Sequence, residues 1–254
     1  MARAVWFIKL ISFLSISYLL YSPSASFAQS AFEGFYGQVS TGYEKNSFNA
    51  NNQTFTYSAT PDASAGTGTG IAPNQESTVA PLILGIGYNK SLSDSFVIGV
   101  GVDYSALSEN VGNFSQTITI NEGGGTLALQ NMSYKVSNRV NLFISPSYAF
   151  TQTSLGYLKI GYSVEKLQFS QGSNVGTLPS GFSSNATING YIVGLGYKQM
   201  IYEGIYAFTE GNYMSYNSKS ISGTAIGGSA ETVYMTSTPT VTTYNFLVGL
   251  GYKF

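Results

Sequence analysis

The feature that most constrains this chain is a seven-residue pattern that returns four times. Leu82-Ile83-Leu84-Gly85-Ile86-Gly87-Tyr88, Tyr191-Ile192-Val193-Gly194-Leu195-Gly196-Tyr197 and Phe246-Leu247-Val248-Gly249-Leu250-Gly251-Tyr252 superpose without a gap. Leu142-Phe143-Ile144-Ser145-Pro146-Ser147-Tyr148 repeats it with Ser in place of both glycines. Large apolar residues alternate with small ones, which is the period of a β-strand whose two faces meet different surroundings. The copy at the end of the chain runs longest. Tyr244, Phe246, Val248, Leu250, Tyr252 and Phe254 share one face, and Asn245, Gly249, Gly251 and Lys253 the other, with Leu247 the exception. A strand that crosses lipid needs about ten residues, apolar outward, with an aromatic ring at each water interface. This stretch meets that description.

Four equivalent strands imply four more to bring the chain back, and the intervening sequence supplies them. The first strand covers Phe35 to Tyr43, with Phe35, Val39 and Tyr43 on one face. Strand two lies at about 78–89. Strand three carries Phe96, Ile98, Val100, Val102 and Tyr104, and strand four spans about 138–148. Strand five carries Leu158, Ile160, Tyr162 and Val164; strands six and seven follow at 189–198 and 205–216. Connections alternate between long and short. The long ones are 45–76, 107–137, 166–187 and 217–243; the short ones are 90–95, 149–154 and 199–204. The first long stretch has no periodicity and reads as loop, and its Gly-Thr-Gly-Thr-Gly at 66–70 reads as a flexible tip, like Gly123-Gly124-Gly125. Within 107–137, Phe114 to Ile120 and Thr126 to Gln130 alternate around Glu122 to Gly125, which predicts a projecting hairpin. Counting Thr126 to Lys135 as a separate strand would make nine and put the chain end on the wrong side. Single-chain bacterial barrels have even counts, so eight strands are expected. Tyr43, Tyr104, Tyr162 and Tyr213 close the apolar face before each long connection, and Tyr88, Tyr148, Tyr197 and Tyr252 before each turn or the chain end. The eight residues from Phe96 to Tyr104 rise about 20 Å at the usual tilt, which suits two aromatic girdles around a lipid band of roughly 25 Å.

Composition agrees with that reading. Charged residues are 9% of the 254, against about 25% in soluble domains, and no apolar run after the first 28 residues is long enough for a helical span. The start of the chain has the form of a secretory signal. Arg3 and Lys9 are basic, Leu10 to Tyr21 is mostly apolar, and Ser26-Phe27-Ala28 places small residues at a cleavage site after Ala28. Residues 29–254 would then form one barrel domain. There is no Cys and no His, which removes thiolate and imidazole metal sites and the Ser-His-Asp and Cys-His triads, so neither an enzyme nor a cofactor is expected. A net charge of −1 argues against nucleic acid.

Strand phase turns Glu44, Asp103, Lys159, Glu165, Glu210 and Asn212 toward the interior. Eight strands leave a lumen just wide enough for side chains, so these residues are expected to form an ion-pair network, with Lys159 pairing Glu210 or Asp103. The inward rings of Tyr36, Tyr157, Tyr206 and Phe208 would fill the space that inward glycines leave. The alternative is a polar channel lining.

Taken together, the signal segment, the Gly-x-Gly-Tyr strand ends, Phe143 to Tyr148, Leu158-Lys159-Ile160-Gly161-Tyr162 and the terminal Phe254 resemble the small eight-stranded outer-membrane β-barrel proteins of Gram-negative bacteria. These are the OmpA-like, OmpX-like and opacity-type barrels. The resemblance covers the whole mature chain and implies the architecture much better than an activity. It implies an all-β, antiparallel, up-and-down transmembrane barrel with short periplasmic turns and four long extracellular loops. It also implies export to the outer membrane, and partners that are outer-membrane lipid and lipopolysaccharide, the barrel-assembly machinery reading Phe254, and a host or surface ligand held by the loops. The expected protein is a monomer with a structural or adhesin-like role, with a small-solute pore second and a lipid-modifying enzyme third. Ending at Phe254, it departs from the two-domain members, and no periplasmic peptidoglycan-binding domain is expected.

Overall fold

The computed structural model describes residues 30–50, 53–61, 64–70, 72–121, 126–171, 182–226 and 232–254. The expected cleavage site at Ala28 and the tip at Gly123 to Gly125 lie outside them. Strands are numbered along the chain. Eight of them, β1 (Gly34–Ala50), β5 (Ile83–Ser91), β6 (Phe96–Ser105), β8 (Thr126–Thr151), β9 (Ser154–Gln171), β10 (Phe182–Tyr202), β11 (Ile205–Tyr216) and β14 (Pro239–Lys253), pair only with antiparallel neighbours. β1 pairs β5, β5 pairs β6, β6 pairs β8, and β8 pairs β9. β9 pairs β10, β10 pairs β11, β11 pairs β14, and β14 returns to β1. The ring closes with eight strands, and Tyr36↔Lys253 and Val39↔Leu250 are part of the seam. Closure leaves no sheet edge at this level, which a strand structure in lipid requires.

Three tight turns, the first described residues and Phe254 gather at one end of the barrel. The turns are 92–95, 152–153 and 203–204, where Gly204 adopts φ +74°, and the Phe254 amide donates to the Phe35 carbonyl. The opposite end is built differently from the open loops read in the sequence. β1, β8, β9 and β10 run well past the apolar band, and six short or outlying strands join them: β2 (Gln53–Tyr57), β3 (Gly66–Gly70), β4 (Gln75–Val79), β7 (Glu109–Ile120), β12 (Ile221–Ile226) and β13 (Thr232–Ser237). Much of the described part of the 45–76 stretch is therefore paired structure. β2 joins β13 and β3, β3 joins β7, and β4 lies along β1. Its Thr and Gly residues lack a hydrophobic period of their own but find ladders in other connections. Gly66 to Gly70 is a strand rather than a tip, and Gly68 packs where a Cβ would meet Ile118 at 2.9 Å. The hairpin expected in 107–137 is present as β7 against the first part of β8. Thr126 to Lys135 is continuous with strand four, so the count stays at eight.

Two irregularities in β8 have local causes. Asn138, at φ 53°, sits where the register with β9 shifts between Ser137 and Val140, a bulge that changes which alternate residues point inward. The β8–β9 ladder also breaks between Ile144↔Ile160 and Ser147↔Tyr157, where Pro146 has no N–H to give.

Candidate functional site

The outer wall and the interior are the two places where function could reside. On the wall, Leu84, Ile86, Val100, Leu142, Ile144, Leu158, Ile160, Leu195, Phe246, Val248 and Leu250 all point outward and are exposed. An apolar surface that encircles a closed ring of strands is one that lipid covers. Outward tyrosines border it, all exposed except the half-buried Tyr88. Tyr43, Tyr104, Tyr162 and Tyr213 lie toward the extended end; Tyr88, Tyr148, Tyr197 and Tyr252 lie toward the turns. Several of these rings pack edge-on, as in Phe35–Tyr88 at 4.8 Å, Phe96–Tyr148 at 5.2 Å and Tyr252–Phe254 at 5.1 Å between centroids.

Inside, alternation brings the polar partners of those apolar residues together. Lys159 Nζ bonds a carboxylate oxygen of Asp103 and lies 2.8 Å from Glu210 Oε1, and all three side chains are 1–3% exposed. Lys159 therefore engages both acids, and its Nζ also sits 4.3 Å from the centroid of Phe143. Glu210 is saturated by further donors: Tyr157 Oη at 2.7 Å and Asn212 Nδ2 at 2.8 Å. Asn212 also donates to Asn245 Oδ1 at 2.9 Å, and Asn245 donates to Glu44 Oε2 at 2.9 Å. Glu44 receives Arg139 as a two-pronged pair, Nη1 to Oε1 at 2.7 Å and Nη2 to Oε2 at 2.5 Å. Glu165 Oε2 stands 4.0 Å from the same guanidinium, and Asn46 joins Glu109 to Thr243 at this level. One hydrogen-bonded chain thus runs from Lys159 through Glu210, Asn212, Asn245 and Glu44 to Arg139. A two-pronged Arg–carboxylate pair fixes both geometry and charge.

Aromatic rings close the turn end. Lys198 Nζ lies 4.2 Å from the ring centre of Tyr36, 4.9 Å from Tyr206 and 5.2 Å from Tyr157, and makes no ion pair among the described residues. Its charge rests on ring faces instead. Tyr206 donates to Gln38 Oε1 at 3.1 Å and meets Phe32 edge-on at 6.2 Å. The inward glycines make this filling possible. A Cβ at Gly251 would come 2.2 Å from the Tyr206 ring, and one at Gly196 would come 2.3 Å from Tyr157.

Above the polar chain, the extended strands enclose an apolar core. Tyr134 stacks on Phe48 at 5.6 Å and Phe114 at 5.4 Å, and packs on Phe169 at 5.0 Å. Met132, Leu167, Ile188, Met214 and Val241 complete it, each at most 2% exposed. Three charged interior residues are absent from the set drawn from strand phase: Arg139, Glu109 and Lys198. The first and last were legible, since Arg139 has the parity of Asn141 and Phe143, and Lys198 that of Gly194 and Gly196. Glu109 was not, because its strand lay within an expected loop.

No family model matches the chain, and no curated protein sequence matches it. Among solved structures it is similar to Ail, the attachment invasion locus protein of Yersinia pestis, at 11% identity and TM-score 0.41, covering 87% of this chain and 99% of that one. It is also similar to the outer-membrane protease OmpT of Escherichia coli, at 11% identity and TM-score 0.48, covering 91% and 99%. A third likeness is to OprG, an outer-membrane protein of Pseudomonas aeruginosa, at 15% identity and TM-score 0.41, covering 87% and 96%.

Proposed function

We propose that this protein is a sealed outer-membrane barrel that holds a rigid crown of paired strands at the cell surface, where the crown contacts other surfaces. One observation carries the reading: the described residues pack the interior at three successive levels. Aromatic rings occupy the turn end, a bonded polar chain the middle and a packed apolar core the crown. A lumen that conducts solute would need room beside those groups, and eight strands offer little. In this reading residues 1–28 direct export, cleavage follows Ala28, and residues 29–254 form the barrel. The two tyrosine sets are interface girdles, and Phe254 is read by the assembly machinery. A monomer without cofactor is sufficient for such a role.

The test is conductance. Purified protein that runs faster unboiled than boiled on a gel, and so is folded, should give no steady ion current in planar bilayers. Steady single-channel steps from the folded form would replace this reading with a small-solute pore. Replacing Tyr252 and Phe254 with Asp should separately leave unfolded protein in the periplasm; normal surface levels would remove the assembly role of the terminal strand.

A further inference from the structure

The Arg139–Glu44 pair joins groups that can only attract each other. The neighbouring lysine site joins groups that can also react. Lys159 on β9 reaches Asp103 on β6 past the intervening strand β8, and its Nζ bonds Asp103 Oδ2. Glu210 on β11 brings Oε1 to 2.8 Å from the same Nζ. An amine, a carboxyl carbon one bond beyond the atom it touches, and a second carboxylate that can move protons are the groups an amide bond requires. Holding such partners in contact makes a bimolecular condensation effectively unimolecular.

The surroundings favour a bond over simple attraction. All three side chains are buried, and the Phe143 ring covers Nζ at 4.3 Å from its centroid. Water, the reagent of the reverse reaction, is therefore scarce. Two charges withdrawn from water carry a desolvation cost that a neutral amide does not. Asp103 Oδ1 is buried without a hydrogen-bond partner among the described residues. It lies against the backbone of Gly85, where a Cβ would come 2.5 Å from it. This is the oxygen left to become an amide carbonyl. Glu210 is held in place by Tyr157 and Asn212. Two other lysine–carboxylate pairs lack these features. Lys90–Glu33 at 2.9 Å and Lys45–Glu76 at 2.7 Å are open to solvent, and neither lysine pairs with a second carboxylate among the described residues.

We propose that Lys159 and Asp103 condense in the folded barrel to an intramolecular isopeptide bond, with Glu210 as the proton relay. Lys159 Nζ gives a proton to Glu210 and attacks Asp103 Cγ with the freed electron pair. The Nζ–Cγ bond forms and the Cγ–Oδ2 bond breaks. Of the three ammonium protons, one stays on the amide nitrogen and two leave with Oδ2 as a water molecule. Glu210 ends as the carboxylate it was at the start. Nothing is oxidised or reduced, and no co-reactant is required. The product ties β6 covalently to β9 across β8. It depends on the buried triad and on no contact of the crown, so it can fail while the surface reading stands.

Mass spectrometry of the folded protein extracted from membranes decides the matter, with the start of the chain fixed by its first tryptic peptide. The wild type should be lighter than its sequence by one water molecule. Trypsin should fail to cut after Lys159 and should release a branched peptide joining residues 91–135 to residues 140–166, while cutting normally after Lys45 and Lys90. Glu210→Gln, shown to be folded by its unboiled gel shift, should keep its full mass and be cut after Lys159. Asp103→Asn retains Glu210 and the side-chain shape, and should lose one ammonia in place of one water; it gives the second reading if Glu210→Gln does not fold. A wild type of full sequence mass, cut normally after Lys159, would overturn the proposal and leave an ion pair only. A branched peptide as abundant in folded Glu210→Gln as in the wild type would overturn the relay, and Asp103→Asn at full mass would overturn condensation at Cγ.

Discussion

The two halves of this molecule invert each other. At the level of the apolar band, the interior is charged and the wall is greasy; in the crown, the interior is greasy and the wall is polar. The change happens within single strands. Along β9, Leu158, Ile160 and Tyr162 face out while Lys159, Ser163 and Glu165 face in; a few residues further, Leu167 and Phe169 face in and Lys166 and Gln168 face out. β1 makes the same exchange between Glu44 and Phe48, and β11 between Asn212 and Met214. β8 makes it through the bulge at Asn138, with Tyr134 and Val136 inward before it and Arg139 and Asn141 inward after it. The backbone barely changes, so solvent decides which alternate residue is apolar. Lipid rewards an apolar wall, and water an apolar core. The level at which polarity inverts is therefore the level at which the surrounding medium changes. On β11 it falls at Tyr213, and on β1 and β9 within about five residues beyond Tyr43 and Tyr162.

The comparison breaks most sharply at Lys159. Between the aromatic cluster of the turn end and the apolar core of the crown, ion pairs carry the packing. Lys159→Met leaves Asp103 and Glu210 buried without a cation, a change that typically costs about 3–5 kcal/mol. The unfolding midpoint in urea should fall accordingly, and adding Asp103→Asn and Glu210→Gln should restore much of the loss, because a neutral set needs no counter-charge. An unchanged midpoint for Lys159→Met, together with steady conductance by the wild type, would mean that water solvates these acids.

In the crown the corresponding change is a cavity. Leu167 is fully buried, and Leu167→Ala should cost about 2–5 kcal/mol through lost burial and the void left behind. The effect should be confined to the crown: faster proteolytic nicking of β2, β3 and β7, with the unboiled gel shift retained, because elements of different stability open separately. Equal loss of crown and barrel would show that the two halves fold as one unit and that the inversion has no energetic boundary.

How much of this was legible in the sequence also follows the inversion. Where one strand face is uniformly apolar, periodicity alone gave the eight strands, their phase and the side on which the long connections lie. The crown obscured itself in two ways. Its strands draw their partners from connections far apart in the chain, as Gln53 to Tyr57 does from Thr232 to Ser237 and from Gly66 to Gly70, and single-strand periodicity cannot report a ladder made by others. Its apolar face also has the opposite phase to the membrane part of the same strand, so alternation counted through the girdle appears to stop. Leu167 and Phe169 sit within what read as loop for this reason. In the interior, Lys159, Asp103 and Glu210 were legible because their neighbours must face lipid. Arg139 needed only the same parity argument carried one residue further.

The smallest effect lies at the boundary itself and depends on pH. Glu109 sits on β7, five residues beyond Tyr104 and above the girdle, close to Asn46 and Glu44. Burial, with the Glu44 carboxylate as a second cause, pushes its carboxyl up from an ordinary 4.5 to about 8. A folded state that holds this proton more tightly than the unfolded chain gains stability from it. That gain is fully present below the unfolded value of 4.5 and is lost as pH rises through about 8. The wild type should therefore lose stability between pH 6 and pH 9. Glu109→Gln, which keeps the neutral form at every pH, should show a shallower decline over the same interval. Urea midpoints at pH 6, 7, 8 and 9 for the two proteins measure this directly. Parallel curves would mean that Glu109 is ionised at neutral pH, with Arg139 close enough to serve both it and Glu44, and the boundary would then carry one fewer proton than the interior geometry implies.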